Sequence, residues 1–177
     1  MYRLGSIAAA FALIVTPALA QSAKPATTPN DAQIAHIACT AGTLDVEAGK
    51  QALAISKNAD VREFAQQMVK DHTAVNDQAL ALVKKLKVTP EDNATSKGLT
   101  EQANAKRAEL AKLKGAAFDK AYMANEIAFH KTVNGALETT LIPSATNAEL
   151  KSLLQTGLKL FQGHQMHAEQ TAAKRTN

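Results

Sequence analysis

The spacing of apolar residues constrains the fold of this 177-residue chain more than any other feature. In five segments they recur at steps of three and four, which aligns side chains along one face of an α-helix. These stripes run from Ile34 to Ile55, Val61 to Leu86, Leu99 to Leu113, Phe118 to Leu141 and Leu150 to Ala168. The spacing therefore predicts an all-α protein with four long helices and a shorter third one.

Proline positions and composition support this prediction. Pro29 precedes the first stripe, and Pro90 and Pro143 lie between later stripes, as expected if proline would break the helices. Only 4% of the residues are aromatic, which argues against a β-sandwich or β-barrel, and a single cysteine rules out an internal disulfide scaffold. Because short connections between long helices favour antiparallel neighbours, we predict an up-and-down four-helix bundle with the shorter helix in the crossing connection.

Residues 1–20 have the features of a secretory signal peptide. Arg3 precedes an apolar stretch from Ile7 to Val15, and Ala18-Leu19-Ala20 forms an A-x-A cleavage site. An uncleaved membrane anchor is the alternative, but the apolar stretch is shorter than the roughly 20 residues that span a bilayer. We predict cleavage after Ala20, a flexible linker over residues 21–30 and a helical bundle over residues 31–173. The mature chain would then be periplasmic or secreted.

The charge pattern argues against a nucleic-acid partner. The formal net charge is +4, but the 20 lysines and arginines are spread along the chain and mixed with acidic residues. The densest basic cluster, Lys84-Lys85-Leu86-Lys87, lacks the interleaved aromatic residues of a nucleic-acid-binding surface. After residue 20 no stretch is apolar enough to span a membrane, so we expect no transmembrane segment in the mature chain.

Three histidines fall on or beside stripes that should face inward. His72, His130 and His164 lie on three different helices, and Glu126 shares a helix face with His130. Asp45 lies on the inward row of the first helix. The candidate metal ligands are His72, His130, His164, Glu126, Asp119 and Asp45, with Tyr122, Asp71 and His167 as supporting residues.

Two interpretations of this polar set remain open. In the first, imidazoles and carboxylates from facing helices bind a metal ion inside the bundle, where such folds commonly build their sites. Zn, Fe, Mn and Cu are the candidate metals for these ligand types. In the second, the histidines hydrogen-bond Asp119, Tyr122 or each other and only fix the packing of the helices.

Narrower metal-site signatures are weak. Ferritin-like di-iron sites use Glu-x-x-His on two helices, whereas Glu126 and His130 are four residues apart and no Glu precedes a His by three. His36-x-x-Cys39 and His164-x-Met166-His167 could suggest copper, but each offers too few donors, so chance spacing explains them better. Cys39 flanks the first stripe and is expected to be a small buried side chain rather than a reactive thiol.

Three motifs, taken in order, resemble those of a known family of exported bacterial proteins. They are Asp45-Val-Glu-Ala-Gly-Lys-Gln-Ala52, Val61-Arg-Glu-Phe-Ala-Gln-Gln-Met-Val-Lys-Asp-His72 and Phe118-Asp-Lys-Ala-Tyr-Met123. The family is domain-of-unknown-function family 4142 (DUF4142), whose members are often labelled outer membrane proteins. The likeness covers roughly residues 30–170.

The resemblance implies a ferritin-like helical bundle and a set of equivalent positions. His72, His130 and His164 would match the characteristic histidines of the family, and Phe118, Asp119 and Tyr122 its Phe-Asp-x-x-Tyr element. Many members carry Glu on the first helix where this chain has Asp45. The outer membrane label implies at most peripheral association with the envelope.

Three hypotheses for function follow, in order of preference. The first is a non-enzymatic envelope protein, connected with stress, that holds a metal ion or small ligand at the histidine and carboxylate positions. The second is a structural or protein-interaction module whose buried histidines only fix packing. The third is a metal-dependent redox enzyme, ranked last because the Glu-x-x-His spacing is absent.

Overall fold

The structure is a computed structural model that describes residues 28–174. Its elements are α1 (Asp31–Ile55), α2 (Ala59–Leu86), α3 (Ala94–Leu110), α4 (Gly115–Ala136), a π-helical turn (Leu137–Leu141), α5 (Ile142–Ser144) and α6 (Ala148–Ala173). Within these residues there is no strand, so the prediction of an all-α protein is confirmed. The predicted signal peptide and most of the predicted linker lie outside the described residues.

The helices form a ferritin-like four-helix bundle, as predicted. Helices α1 and α2 form one antiparallel hairpin, and α4 and α6 form the other. Between the hairpins, α3 runs back alongside α1, since Asn93 at its start lies near Gln33 and Arg107 near its end pairs with Glu47. The shorter helix therefore occupies the crossing connection, which leaves α2 and α4 running in the same direction. Among the described helices, none combines the length and hydropathy needed to cross a bilayer.

Asparagine residues begin four of the helices. The side chains of Asn30, Asn58, Asn93 and Asn147 each accept a hydrogen bond from a backbone N–H in the first turn of α1, α2, α3 and α6. These bonds satisfy N–H groups that have no partner inside the helix. The asparagines therefore cap these four helices and define the residues at which they begin.

Asp31 joins the first helix to the last. Its carboxylate accepts hydrogen bonds from the backbone N–H of Thr146 at 2.8 Å, the hydroxyl of Thr146 at 2.6 Å and the backbone N–H of Asn147 at 2.9 Å. Partial burial opposes the charge on Asp31, but these hydrogen bonds outweigh it and lower its pKa. The start of α1 is thereby tied to the start of α6.

A π-turn changes the end of α4. The backbone N–H of Ile142 donates to the carbonyl of Leu137, five residues earlier. Pro143, expected between helical segments, instead lies inside α5, directly after this turn. Proline has no N–H for the hydrogen bond that a continuing helix would require. The helix accommodates it because the π-turn has already shifted the hydrogen-bond pattern and the helix ends at Ser144.

The interior consists of two apolar clusters separated by a polar layer. One cluster is built around Phe64, Met68, Phe118 and Tyr122, and the other is built around residues such as Ile34, Leu137, Leu154 and Phe161. The polar layer, which we define as Asp45, His72, Glu126, His130 and His164, is buried between them. Each helix of the bundle contributes at least one side chain to this layer.

Helices α1 and α2 approach closely beside the polar layer. A Cβ atom at Gly49 would lie 2.9 Å from Cγ2 of Val69 and 3.0 Å from the carbonyl oxygen of Ala65. Gly49 is one turn beyond Asp45, which faces α2. The missing side chain thus allows the spacing at which Asp45 contacts His72.

Candidate metal centre

Five ionisable side chains meet in the polar layer with almost no exposure to solvent. No more than 4% of the surface of Asp45, His72, Glu126, His130 or His164 is exposed. Burying ionisable groups is costly unless they are paired, hydrogen-bonded or bound to a metal. The contacts within the layer therefore decide what it can do.

The three imidazole rings face one another across the bundle. Ring centroids lie 5.7 Å apart for His72 and His130, 5.2 Å for His72 and His164, and 5.6 Å for His130 and His164. One potential ligand atom from each ring lies within 4.8 Å of those from the other two. Around a tetrahedral Zn²⁺ ion, ligand nitrogens are about 3.4 Å apart. A small inward movement of the rings would therefore place three nitrogens around one ion.

Asp45 and Glu126 extend this arrangement. Their carboxylate oxygens and a nitrogen of His130 also lie within 4.8 Å of one another, so His130 belongs to two overlapping groups. Oδ2 of Asp45 is 2.9 Å from Nε2 of His72 and 3.4 Å from Nε2 of His130. One carboxylate oxygen thus contacts two imidazoles from two other helices.

These short contacts are poorly aligned as hydrogen bonds. Within the described part of the chain, neither oxygen of Asp45, neither nitrogen of His72 nor Nε2 of His130 has a partner of hydrogen-bond geometry. Because hydrogen bonds are directional, the short distances alone do not satisfy these atoms. The layer brings these polar atoms together without well-aligned hydrogen bonds, an arrangement that a cation would complete.

Outer contacts fix the tautomers of two histidines. Nδ1 of His130 donates to the backbone carbonyl of Glu126 at 3.0 Å, since a carbonyl can only accept. Nε2 of His164 donates to Oδ2 of Asp71 at 2.8 Å, and Asp71 also accepts from Gln67. The other nitrogen of each ring is left with a lone pair, and both are buried without a hydrogen-bond partner among the described residues. Metal-binding histidines are usually oriented in this way.

The surroundings set the charges of the layer. Burial opposes the charge on Asp45, but His72 and His130 outweigh it and lower its pKa to about 2. Burial, together with the charge of Asp45, raises the pKa of Glu126 well above its ordinary value. Burial lowers the pKa of His130, and it lowers that of His164 to about 4 despite the hydrogen bond to Asp71. Near neutral pH these two imidazoles are neutral, which is the form that binds metals.

Several expected site residues lie elsewhere. Asp119 is outside both groups of potential ligands, and it accepts a hydrogen bond from the hydroxyl of Ser56. His167 packs edge-on against Phe64, with ring centroids 5.3 Å apart. Met166 is 57% exposed. The structure therefore brings together five of the six expected ligands and leaves out Asp119.

Tyr122 lies beside the layer. Its hydroxyl is buried and has no hydrogen-bond partner in the region that the structure describes. Burial raises its pKa well above its ordinary value, and the neighbouring Glu126 and Asp45 raise it further. Tyr122 is thus a neutral donor close to the carboxylates.

The His36 and Cys39 pair does not extend the site. Both lie outside the two groups of potential ligands found in residues 28–174. Cys39 is a free, half-buried thiol, where the sequence analysis expected a buried one. Burial raises its pKa, so the thiol form dominates near neutral pH.

Two contacts of the layer were not predicted from the sequence, although Asp71 was among the supporting residues. Phe161 stacks on His72, with ring centroids 4.5 Å apart and an angle of 13° between the rings. Its position three residues before His164 places it on the same helix face and could have indicated this contact. The bond between His164 and Asp71 joins two helices, and the sequence contains no local signal for it.

Comparison with known proteins supports the fold and the family. A family model described as "Domain of unknown function (DUF4142)" matches residues 16–171. A solved structure of a DUF305 protein from Streptomyces coelicolor, named as a secreted protein, is similar with a TM-score of 0.67 and 11% sequence identity, covering 81% of this chain and 92% of that one. At this identity the similarity concerns the fold alone. A comparison with curated proteins found no match.

Proposed function

The chain belongs to the DUF4142 family, and we propose that it is an exported protein that holds one transition-metal ion in its polar layer. Export is supported by the sequence of residues 1–20 and by the description of the DUF305 neighbour as secreted. The proposed ligands are His72, His130, His164 and Asp45. Glu126 would lie beside them, with its carboxyl group close to that of Asp45.

One observation carries this proposal. Buried ligand atoms from all four helices of the bundle approach one another without aligned hydrogen bonds, although unsatisfied buried polar atoms are rare in folded proteins. A cation would pair with Asp45 and accept a lone pair from each imidazole. The bonds from His130 to Glu126 and from His164 to Asp71 would hold the rings in the orientation required for binding.

The donor types favour Zn²⁺ or Fe²⁺. Imidazole suits zinc, copper and iron, and a carboxylate among the ligands is also typical of zinc and iron sites. Monovalent copper prefers soft sulfur ligands. Met166 is exposed and Cys39 lies outside the layer, so neither of these two sulfurs would bind such an ion there.

The test is metal binding by the chain that begins at Gln21. Metal is removed with a chelator, and Zn²⁺, Fe²⁺, Mn²⁺ and Cu²⁺ are each titrated by calorimetry, with Fe²⁺ handled without oxygen. We expect one equivalent of Zn²⁺ or Fe²⁺ per chain. At a free metal concentration of 100 times Kd, the free energy of unfolding should rise by about 2.7 kcal/mol.

Variants assign the binding to the polar layer. His72→Ala/His130→Ala should abolish tight binding, whereas His36→Ala, which alters a histidine outside the layer, should leave it unchanged. If the double variant does not fold, Asp45→Asn serves as the test. It keeps the shape of the side chain and should weaken metal binding. The proposed site would be refuted if His72→Ala/His130→Ala and Asp45→Asn bound metal as tightly as the original chain.

A purely structural layer is the second candidate. It is favoured by the contact between Asp45 and His72, whose oxygen and nitrogen are 2.9 Å apart, the distance of an ordinary polar pair. This function predicts that none of the four metals alters the thermal midpoint of the chelated protein. A metal-dependent rise that disappears in Asp45→Asn would decide against it.

A further inference from the structure

A large cavity lies in the half of the bundle that contains the second apolar cluster. Its volume is about 540 Å³, and it is lined by side chains of α1, α2, α3, α4, the π-turn and α6. Cavities that bind small molecules typically measure about 300 to 1,000 Å³. The size of this cavity is therefore that of a ligand site rather than a packing defect.

The chemistry of the lining restricts the ligand. Aliphatic side chains such as Ile37, Val75, Val133 and Leu154 form most of it. Among the described residues that line it, none is Asp, Glu, Lys, Arg or His, and the polar members carry only amides or hydroxyls. A charged ligand would lose its hydration without gaining a partner of opposite charge. An uncharged apolar molecule fits this lining.

Small residues and the π-turn create the space. Ala41, Ala136 and Gly157 line the cavity where longer side chains would fill it. Leu137 and Leu141 of the π-turn also line it, and π-turns within helices are frequently found at functional sites. A void among such side chains lacks the dispersion contacts of a packed core, so an apolar occupant would stabilise the bundle.

We propose that this cavity binds one uncharged apolar molecule that carries a hydroxyl-type polar end. The aliphatic lining holds the apolar body, and an amide or hydroxyl group of the lining, such as that of Asn76 or Thr132, accepts or donates a hydrogen bond at the polar end. Phe161 lines the cavity and stacks on His72, so the site adjoins the polar layer without including its ionisable groups. This binding does not depend on the proposed metal ion.

The experiment uses N-phenyl-1-naphthylamine, an uncharged dye that fluoresces in apolar surroundings, with the chain that begins at Gln21. We expect saturable binding of one dye per chain, displaced by 1-decanol. Decanoate has a similar chain but carries a charge, and it should displace the dye at least tenfold less well.

Cavity-filling variants locate the binding. Ala41→Leu/Ala136→Leu should weaken dye binding at least tenfold, whereas Ala74→Leu, at an exposed position of α2 outside the cavity, should not change it. Ala136→Leu alone serves if the double variant does not fold, as judged by circular dichroism. Asp45→Asn should retain dye binding, which separates this site from the metal centre.

Three results would overturn the proposal. The first is the absence of saturable dye binding to the unaltered chain, as expected if the residues before 28 or a second copy of the chain fill the cavity. The second is equal affinity in the unaltered chain and the cavity-filling variants. The third is displacement by decanoate as effective as that by 1-decanol.

Discussion

Gly49 offers a direct test of how closely α1 and α2 approach beside the polar layer. We expect Gly49→Ala to destabilise the protein, although alanine is the better helix former. Gly163→Ala is the matched control, because Gly163 also lies inside a long helix but no atom is within 4 Å of a Cβ placed there. The two substitutions add the same methyl group to a helix and should change stability in opposite directions.

The magnitudes follow from the contacts at each position. Alanine gains about 1 kcal/mol over glycine in a helix interior, so Gly163→Ala should raise the free energy of unfolding by up to that amount. At Gly49 the new Cβ would meet the backbone oxygen of Ala65 at 3.0 Å and Cγ2 of Val69 at 2.9 Å. The backbone oxygen can move only with α2, and the branched Val69 is restricted about χ1 in a helix.

The expected balance at Gly49 is a net loss of stability. Overpacking in a core costs about 1 to 3 kcal/mol, which offsets or exceeds the gain of about 1 kcal/mol in helix propensity. Gly49→Ala should therefore lower the free energy of unfolding by up to about 2 kcal/mol. For a domain of this size, 1 kcal/mol corresponds to about 3 °C in the thermal midpoint.

Both variants are compared with the unaltered, metal-free chain by thermal and urea unfolding followed by circular dichroism. The midpoint should rise for Gly163→Ala and fall for Gly49→Ala. If Gly49→Ala were as stabilising as Gly163→Ala, the close approach of α1 and α2 would be refuted. The reasoning that this spacing brings Asp45 to His72 would then fail as well.

Three further predictions concern other contacts. Asp71→Asn should weaken metal binding by about 10- to 100-fold because it removes the carboxylate that orients His164, and calorimetry that gave an unchanged affinity would contradict this. Asp31→Asn should lower the free energy of unfolding by about 1 kcal/mol at neutral pH, with a loss that shrinks in acid. The pKa of Asp31 is lowered in the fold, so its contribution is present above its ordinary pKa of 3.8 and lost as the pH falls below it, which urea unfolding across the acid range would detect. Asn30→Ala should cost about 1 kcal/mol through the lost cap of α1, measured by thermal unfolding.

The fold could be predicted from the sequence because its main determinant is local. Steps of three and four between apolar residues indicate a helix whatever it packs against. The four long helices α1, α2, α4 and α6, of 25, 28, 22 and 26 residues, correspond to the four long stripes. The π-turn was not predicted, because Leu137 and Leu141 keep the four-residue spacing of a regular helix. The π-turn lengthens the step between hydrogen-bonded residues from four to five, but it does not alter the spacing of apolar residues in the sequence.

The candidate site could be predicted in part. Inward-facing positions identified His72, His130 and His164 correctly as buried neighbours, because a narrow bundle brings side chains at one level together. Asp119 shares a helix face with His130 but lies eleven residues earlier, which at 1.5 Å per residue separates them by about 16 Å along the helix. A shared helix face shows that two side chains point to the same side, but it does not show that they lie at the same position along the helix axis. The level at which helices meet depends on tertiary contacts that single-helix patterns do not contain.

The π-turn makes chain length at this point as important as residue identity. A π-turn is equivalent to one extra residue in an α-helix, and each residue turns the helix by about 100°. If residues 137–141 formed a regular α-helix instead, everything after them would be rotated by about that angle. Thr146 would then no longer face Asp31, and the first and last helices would lose the bonds that join their starts. The π-turn therefore accommodates one extra residue and keeps the chain that follows α4 in the rotation at which it meets Asp31.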